Sequence, residues 1–275
     1  MEYAKDAMVD VTSPFAREVA AYFVSAFSDS PPEDDKNLRK AVELLSGWNG
    51  DHSPSSRAAT VFNTALIHLL ENLFADELNL LGDDAYESWL SFPPLSLRSS
   101  RFILKNSQSS VWDDVTTPGK VETMDEILRK SVEEGVRDIE ELVGPDPNIW
   151  AWGRLHTLTH LHSIGRESSI LNWLFGFNVG PFATGGNSTT VNNGEYRLSA
   201  PYDHINGPSK RRAVDMNDLN NTQIVLPTGQ SGLPKNVHYS DQAELFNAGQ
   251  YRTTLFDEEE IRKAGFRKLV LIPKD

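Results

Sequence analysis

The sequence predicts an α+β protein, helical first and strand-bearing afterwards. Up to about residue 150, apolar residues recur at helical spacing between capping and breaking residues. Beyond it, glycine, asparagine and threonine separate short apolar runs, the texture of strands and turns. No internal repeat or low-complexity tract is present, so the two textures are consecutive segments. The expected division is a mainly helical 1–150 and a β-rich 151–275.

Ser13 and Pro14 suit the N-cap and first helical positions, and Phe15, Val19, Tyr22 and Phe23 follow at helical spacing. SDSPPEDD at 28–35 ends that helix, and Leu38, Val42 and Leu45 stripe the next. Gly47 and Gly50 flank a turn-rich joint, GWNGDHSPSS. Residues 55–81 form the longest helical candidate, with Val61, Phe62, Leu66, Leu69, Leu70, Leu73 and Phe74 on a wide apolar stripe. FPPLS at 92–96 breaks the chain again. Thr123 and Glu126 have capping-box spacing before Ile127, Leu128, Val132, Val136, Ile139 and Leu142, and GPDPN ends that helix. In the second half RRAVDM, TQIVLP and RKLVLIP read as strands, the last two buried at their apolar centres. DQAELFNAG and DEEEIRKAG read as short helices stopped by glycine.

With 39% hydrophobic and 24% charged residues the composition is globular. A net charge of −13 argues against a broad nucleic-acid surface, since SKRR at 209–212 is the only dense basic cluster. No apolar stretch reads as a membrane span, and the first residues lack the pattern of a signal peptide. Cysteine is absent, which removes disulfides, thiolate metal sites and cysteine nucleophiles.

Three stretches carry candidate chemistry. His156, His160 and His162 would put two imidazoles on one helix face, as zinc ligands are, but Thr157 stands where a zincin has its glutamate. The bland reading has these imidazoles hydrogen-bonding across the Trp150–Trp152 segment. GGNSTTVNNG at 185–194 lacks the lysine of a phosphate loop and the spacing of a hydrolase elbow, and reads as turns shaped by Gly and Asn. In PTGQSGLPKNVHYSDQ, Gly229 and Gly232 suit turns with left-handed backbone, and His238, Tyr239 and Gln242 suit hydrogen-bonding anchors. The acidic runs at 33–35 and 257–260 read as helix starts, where negative charge is favourable.

WGRLHTLTH, GPFATGGNSTTVNNGEY, PTGQSGLPKNVHYSDQAELFNAGQY and the closing RKLVLIP resemble, in that order, the C-terminal end of the penicillin amidase family. DVTSPFAREV and the 44–78 segment resemble the helices that precede those motifs, so the resemblance covers nearly the whole chain. It implies an N-terminal-nucleophile amidohydrolase, in which helices lead into strands completing part of an αββα sandwich. In that family a precursor cuts itself to expose a serine, whose own α-amino group serves as base, while an asparagine assists the oxyanion.

That serine opens a segment upstream of the matched region, and Met1 and Glu2 are not nucleophiles. Gly186-Asn187-Ser188 has the wrong order for the self-cleavage site and no Trp follows. The family's oxyanion asparagine and calcium ligands also precede the match. No catalytic residue, binding residue or metal ligand is therefore assigned, and no cofactor is implied. The expected partners are the upstream portion bearing the serine and a small-molecule acyl amide, with neither nucleic acid nor membrane. The chain alone is expected to be inactive. A non-catalytic module keeping the family's C-terminal half is the alternative, and a metalloenzyme on the 156–162 histidines a third reading. Family members are often periplasmic or secreted, but the sequence leaves the compartment open.

Overall fold

The computed structural model describes residues 1–266 and 269–273. It divides into two compact units, Asp10–Thr159 with Gly180–Gly207, and Met1–Val9 with His160–Val179 and Pro208–Asp275. Helix α1 (Glu2–Met8) opens the second, smaller unit.

The larger unit is built from α2 (Pro14–Ser25), α3 (Lys36–Leu45), α4 (Arg57–Asn79), α5 (Ala85–Leu90), α6 (Pro93–Ile103) and α7 (Met124–Leu142). Their starts follow local chemistry. Ser13 Oγ accepts from the Ala16 amide ahead of Pro14, and Asp35 accepts from the amides of Asn37 and Leu38. Thr123 and Glu126 form a capping box at α7. The Pro93–Pro94 pair, read from sequence as a breaker, instead opens α6, because the first helical turn needs no amide hydrogens there.

Helices α4 and α7 pack along each other at the centre of this unit. Phe62, Leu69, Leu70 and Leu73 of α4 and Leu128, Val132 and Ile139 of α7 are fully buried. Each such side chain stabilises the fold by about 1.5–3 kcal/mol relative to exposure. Gly135 lies where the helices come closest, and a Cβ there would overlap the Ala65 amide nitrogen and Thr64 Oγ1. That close approach offsets the helix-propensity cost of a mid-helix glycine, about 1 kcal/mol. By length and hydropathy α4 could cross a membrane, contrary to the sequence reading, but most of its apolar window is buried in this core.

Strand β1 (Thr157–His160) pairs with β2 (Val179–Ala183). Between them lie α8 (Ser163–Glu167) and α9 (Ser169–Phe175) of the smaller unit. That unit also holds a three-stranded sheet of β3 (Arg211–Asp215), β4 (Asp218–Val225) and β5 (Arg252–Thr254) in the order β3-β4-β5. Both pairings are antiparallel, with Arg211 opposite Val225 and Thr222 opposite Thr254. Helices α10 (Ala243–Asn247) and α11 (Glu258–Lys263) complete it.

Arg211 and Ala213 face inward while Arg212 and Val214 face solvent, the period-two pattern of a half-buried strand. The Arg211 guanidinium lies 3.9 Å from the Phe246 ring centroid and donates to the Phe246 carbonyl at 2.6 Å. The strand expected at RKLVLIP does not form at 269–273, where Leu269, Val270, Leu271 and Ile272 are exposed. No strand pairs with them among the described residues, and a strand without a neighbour has no ladder to hold it. Arg267 and Lys268 lie outside the described residues.

Candidate functional site

A constellation of buried polar side chains lies inside the larger unit, where loop residues meet α4. Gly186 holds φ +88°, and a Cβ there would overlap the Asn192 carbonyl, so the turn into Asn187 requires glycine. Asn187, 3% exposed, is the hub of a hydrogen-bond network. Its Nδ2 donates to His52 Nε2 at 2.9 Å and to Asn63 Oδ1 at 3.3 Å. Its Oδ1 accepts from the Thr189 amide and hydroxyl at 2.8 and 2.7 Å.

The network extends in both directions. His52 Nδ1 donates to the Gly50 carbonyl at 2.8 Å, which leaves Nε2 as the acceptor Asn187 needs. Burial holds the His52 pKa down to about 4, against the raising effects of the Gly50 carbonyl and Asp51, so the ring is neutral. Tyr196 donates to Asn63 Oδ1 at 2.9 Å, and Asn63 Nδ2 donates to the Ala59 carbonyl at 2.7 Å. Ser13 and Thr189 hydroxyls meet at 2.6 Å, tying the network to the start of α2. Every polar atom named here has a partner. Such a network fixes geometry and holds no activated nucleophile.

An aromatic stack stands beside it. The His156 ring lies between Trp152, at 4.7 Å and 11°, and His204, at 5.0 Å and 7°. His156 Nδ1 bonds the Tyr202 carbonyl at 2.6 Å, and Trp152 Nε1 donates to the Gly186 carbonyl at 3.1 Å. Burial, reinforced by the neighbouring His204 and His52 and opposed by the Tyr202 carbonyl, pushes the His156 pKa down to about 3. Tyr202 is the one non-glycine residue with positive φ, +86°, among the described residues.

The three histidines singled out in the sequence take separate roles. His156 is a stacked, neutral core residue. His160 lies at the end of β1, whose extended backbone, rising about 3.3 Å per residue, carries it far along the chain from His156 instead of one helical turn away. His162 Nδ1 caps α8 by accepting from the Ile164 amide at 3.1 Å, and its ring stacks on Phe177. Among the described residues no group of three or more His, Cys, Asp or Glu is placed to hold a metal. The acidic runs cap helices: Asp35 at α3, and Asp257, which accepts from the Glu259 amide, at α11.

The 226–242 loop folds over the His238 carbonyl, which accepts from the Gln230 and Ser231 amides at 2.9 and 3.0 Å. Gly229 is needed because a Cβ would overlap that carbonyl oxygen, while its φ is not left-handed. Gly232 has neither a left-handed φ nor a neighbour within 4 Å. The two glycines therefore differ from the expectation in different ways: one serves close approach and the other is unconstrained. His238 Nδ1 meets Asp241 Oδ2 at 2.8 Å, Tyr239 donates to the Phe177 carbonyl, and Gln242 Oε1 accepts from the Leu226 amide at 3.1 Å. Ser231 Oγ accepts from the Leu233 amide at 3.2 Å, and neither Ser231 nor Ser188 bonds an imidazole among the described residues.

His52, Asn63, Tyr196, Tyr202 and His204 were not singled out from sequence. A usable signal existed only for Asn63, an amide among the apolar residues of a buried helix, which must find partners.

Comparisons with known proteins agree with this architecture. Residues 1–263 match the family model described as penicillin amidase. The acyl-homoserine lactone acylase QuiP of Pseudomonas syringae pv. syringae is 28% identical over 277 aligned positions, covering 96% of this chain and 33% of that protein. The QuiP of Pseudomonas aeruginosa is 27% identical with the same coverage. The chain thus spans about a third of the length of the curated relatives it matches. A thermostable penicillin G acylase from Alcaligenes faecalis superposes with a TM-score of 0.52 over 97% of this chain and 48% of the other, at 13% identity, which shows a shared fold. A match running through 263 residues, helices and strands alike, makes this chain a member of the penicillin amidase family.

Proposed function

We propose that this chain forms the C-terminal part of an amide hydrolase that splits a linear acyl amide with water into a carboxylic acid and an amine. The family match over residues 1–263, within relatives about three times as long, carries this reading. The upstream portion of the enzyme supplies the N-terminal serine, its amino group as base and the oxyanion donors. The chain's own contribution is scaffold: the Asn187 network locks the 185–194 loop onto α4, and the His238 carbonyl organises the 226–242 loop. Neither loop offers a serine paired to a base, so the chain alone is inactive.

The alternative is a non-catalytic module. The Asn187 network favours it, since its buried amides, hydroxyls and imidazole find their partners within the chain.

The test is hydrolysis of fatty-acyl and aryl-acetyl amides by residues 1–275, alone and co-expressed with an upstream family segment that begins with serine. No turnover is expected from the chain alone, because loss of a nucleophile costs about a millionfold in rate. Activity should appear on assembly. An assembled pair without activity would favour the module. Turnover by the isolated chain that vanishes in Ser188→Ala or Ser231→Ala would overturn both readings.

A further inference from the structure

One face of α6 borders a cavity of about 300 Å³ in the larger unit, at the lower end of the range of small-molecule pockets. Pro94, Leu97, Arg98 and Arg101 recur at the three- and four-residue spacing that aligns side chains along a helix. Phe15 adds to the apolar lining, and Ser188 lines the cavity as well. The lining thus combines apolar side chains with the guanidinium heads of two arginines.

The two arginines differ. Arg101 is committed to Glu18 through Nε at 3.0 Å and Nη2 at 2.6 Å. Arg98 is exposed and makes no hydrogen bond or ion pair among the described residues, in a chain of net charge −13. A guanidinium presents a planar fork of donors that matches a carboxylate. The start of α6 contributes no amide donors, since Pro93 and Pro94 have none and the amides of Leu95 and Ser96 already donate to the Phe92 carbonyl. An anion here is therefore held by the side chain one turn into the helix.

We propose that this cavity binds a monocarboxylate with a medium-length apolar tail, its head on Arg98 and its tail along Phe15, Pro94 and Leu97. Glu195 also lines the cavity, with Oε2 accepting from Asn206 Nδ2 at 2.8 Å. Its charge repels a dianion such as a phosphate monoester about twice as strongly as a monoanion. Every methylene moved from water onto the apolar wall adds to binding. The site belongs to the larger unit alone and stands whether or not the chain takes part in amide hydrolysis.

The test is photolabelling of residues 1–275 with an octanoate analogue that carries a diazirine in its tail, followed by peptide mapping. Label is expected on 93–101, on 188–195 or at Phe15, displaced by octanoate and not by octylamine. Arg98→Glu should cut it at least about tenfold, the loss that follows removal of a charge-assisted hydrogen bond. Ser188→Glu, at an exposed lining position, should weaken it by like-charge repulsion. Circular dichroism checks that both variants fold. Label confined to 161–175, label displaced equally by octylamine, no label, or label unchanged in both variants would each overturn the proposal.

Discussion

Trp152 and Trp173 are the same residue in two different situations. Trp152 is wholly buried, stacked on His156 and hydrogen-bonded to Gly186. Trp173, in α9, is 82% exposed, with Ile170, Leu171, Leu174 and Phe175 exposed beside it. The contrast extends to the units that hold them. The larger unit surrounds α4 with apolar partners and joins the buried side chains around Asn187 in one hydrogen-bond network. In the smaller unit the buried apolar side chains among the described residues are Ala213, Val225, Ala243 and Phe246. A helix of 23 residues between other helices can bury nearly its whole circumference, whereas one of seven, at a turn, leaves its apolar face outward. Contiguous exposed apolar surface marks interaction sites.

The largest effect that would sharpen this comparison is the acid sensitivity of the larger unit. His52 and His156 are held at about 4 and about 3 by burial, below the unfolded value of about 6.5. A depressed folded pKa means that unfolding takes up protons in acid. The stability is present above about pH 6.5 and is lost as pH falls toward the folded values. Each histidine then costs about 2 kcal/mol between pH 7 and pH 5. Denaturant unfolding followed by fluorescence of the buried tryptophans should show the loss, and His156→Phe should remove about half of the histidine-dependent part. An unchanged slope in that variant would mean that His156 is not buried neutral.

A smaller effect concerns the 226–242 loop of the smaller unit. Gly229→Val must displace the His238 carbonyl and should cost about 1–3 kcal/mol, the range for overpacking. Gly232→Val has open space and an unconstrained φ, and should stay within about 0.5 kcal/mol. Equal melting temperatures for the two variants would contradict the close approach at Gly229.

What could be read from the sequence follows the range of the interactions. Helix α2 was legible because Ser13, Pro14 and the apolar spacing lie within a dozen residues, and α7 because Thr123 and Glu126 are a local pair. Strands β3 and β4 and helices α10 and α11 were legible for the same reason. Pro93 and Pro94 carry one local signal with two meanings, a stop or a start, and only the structure selects the start. The Asn187 network was not legible. Its bonds join residue 187 to residues 52 and 63, and residue 196 to residue 63, and nothing in any local pattern marks those pairs. For 269–273 the apolar content was read correctly, but a strand depends on a partner that periodicity cannot supply.

Side-chain footprinting of the isolated chain tests most directly the claim that the larger unit encloses Trp150 and Trp152 while α9 of the smaller unit has an uncovered apolar face. Hydroxyl-radical oxidation read by mass spectrometry compares Trp150, Trp152 and Trp173 within one sample, free of differences in intrinsic reactivity. Trp150 and Trp152 are fully buried and Trp173 is largely open. Trp173 should be oxidised faster than either by a factor on the order of ten, with Trp150 and Trp152 reacting only as the chain unfolds. If Trp173 were as protected as Trp152 in the monomeric chain, the smaller unit would bury its own apolar face and the contrast would fail.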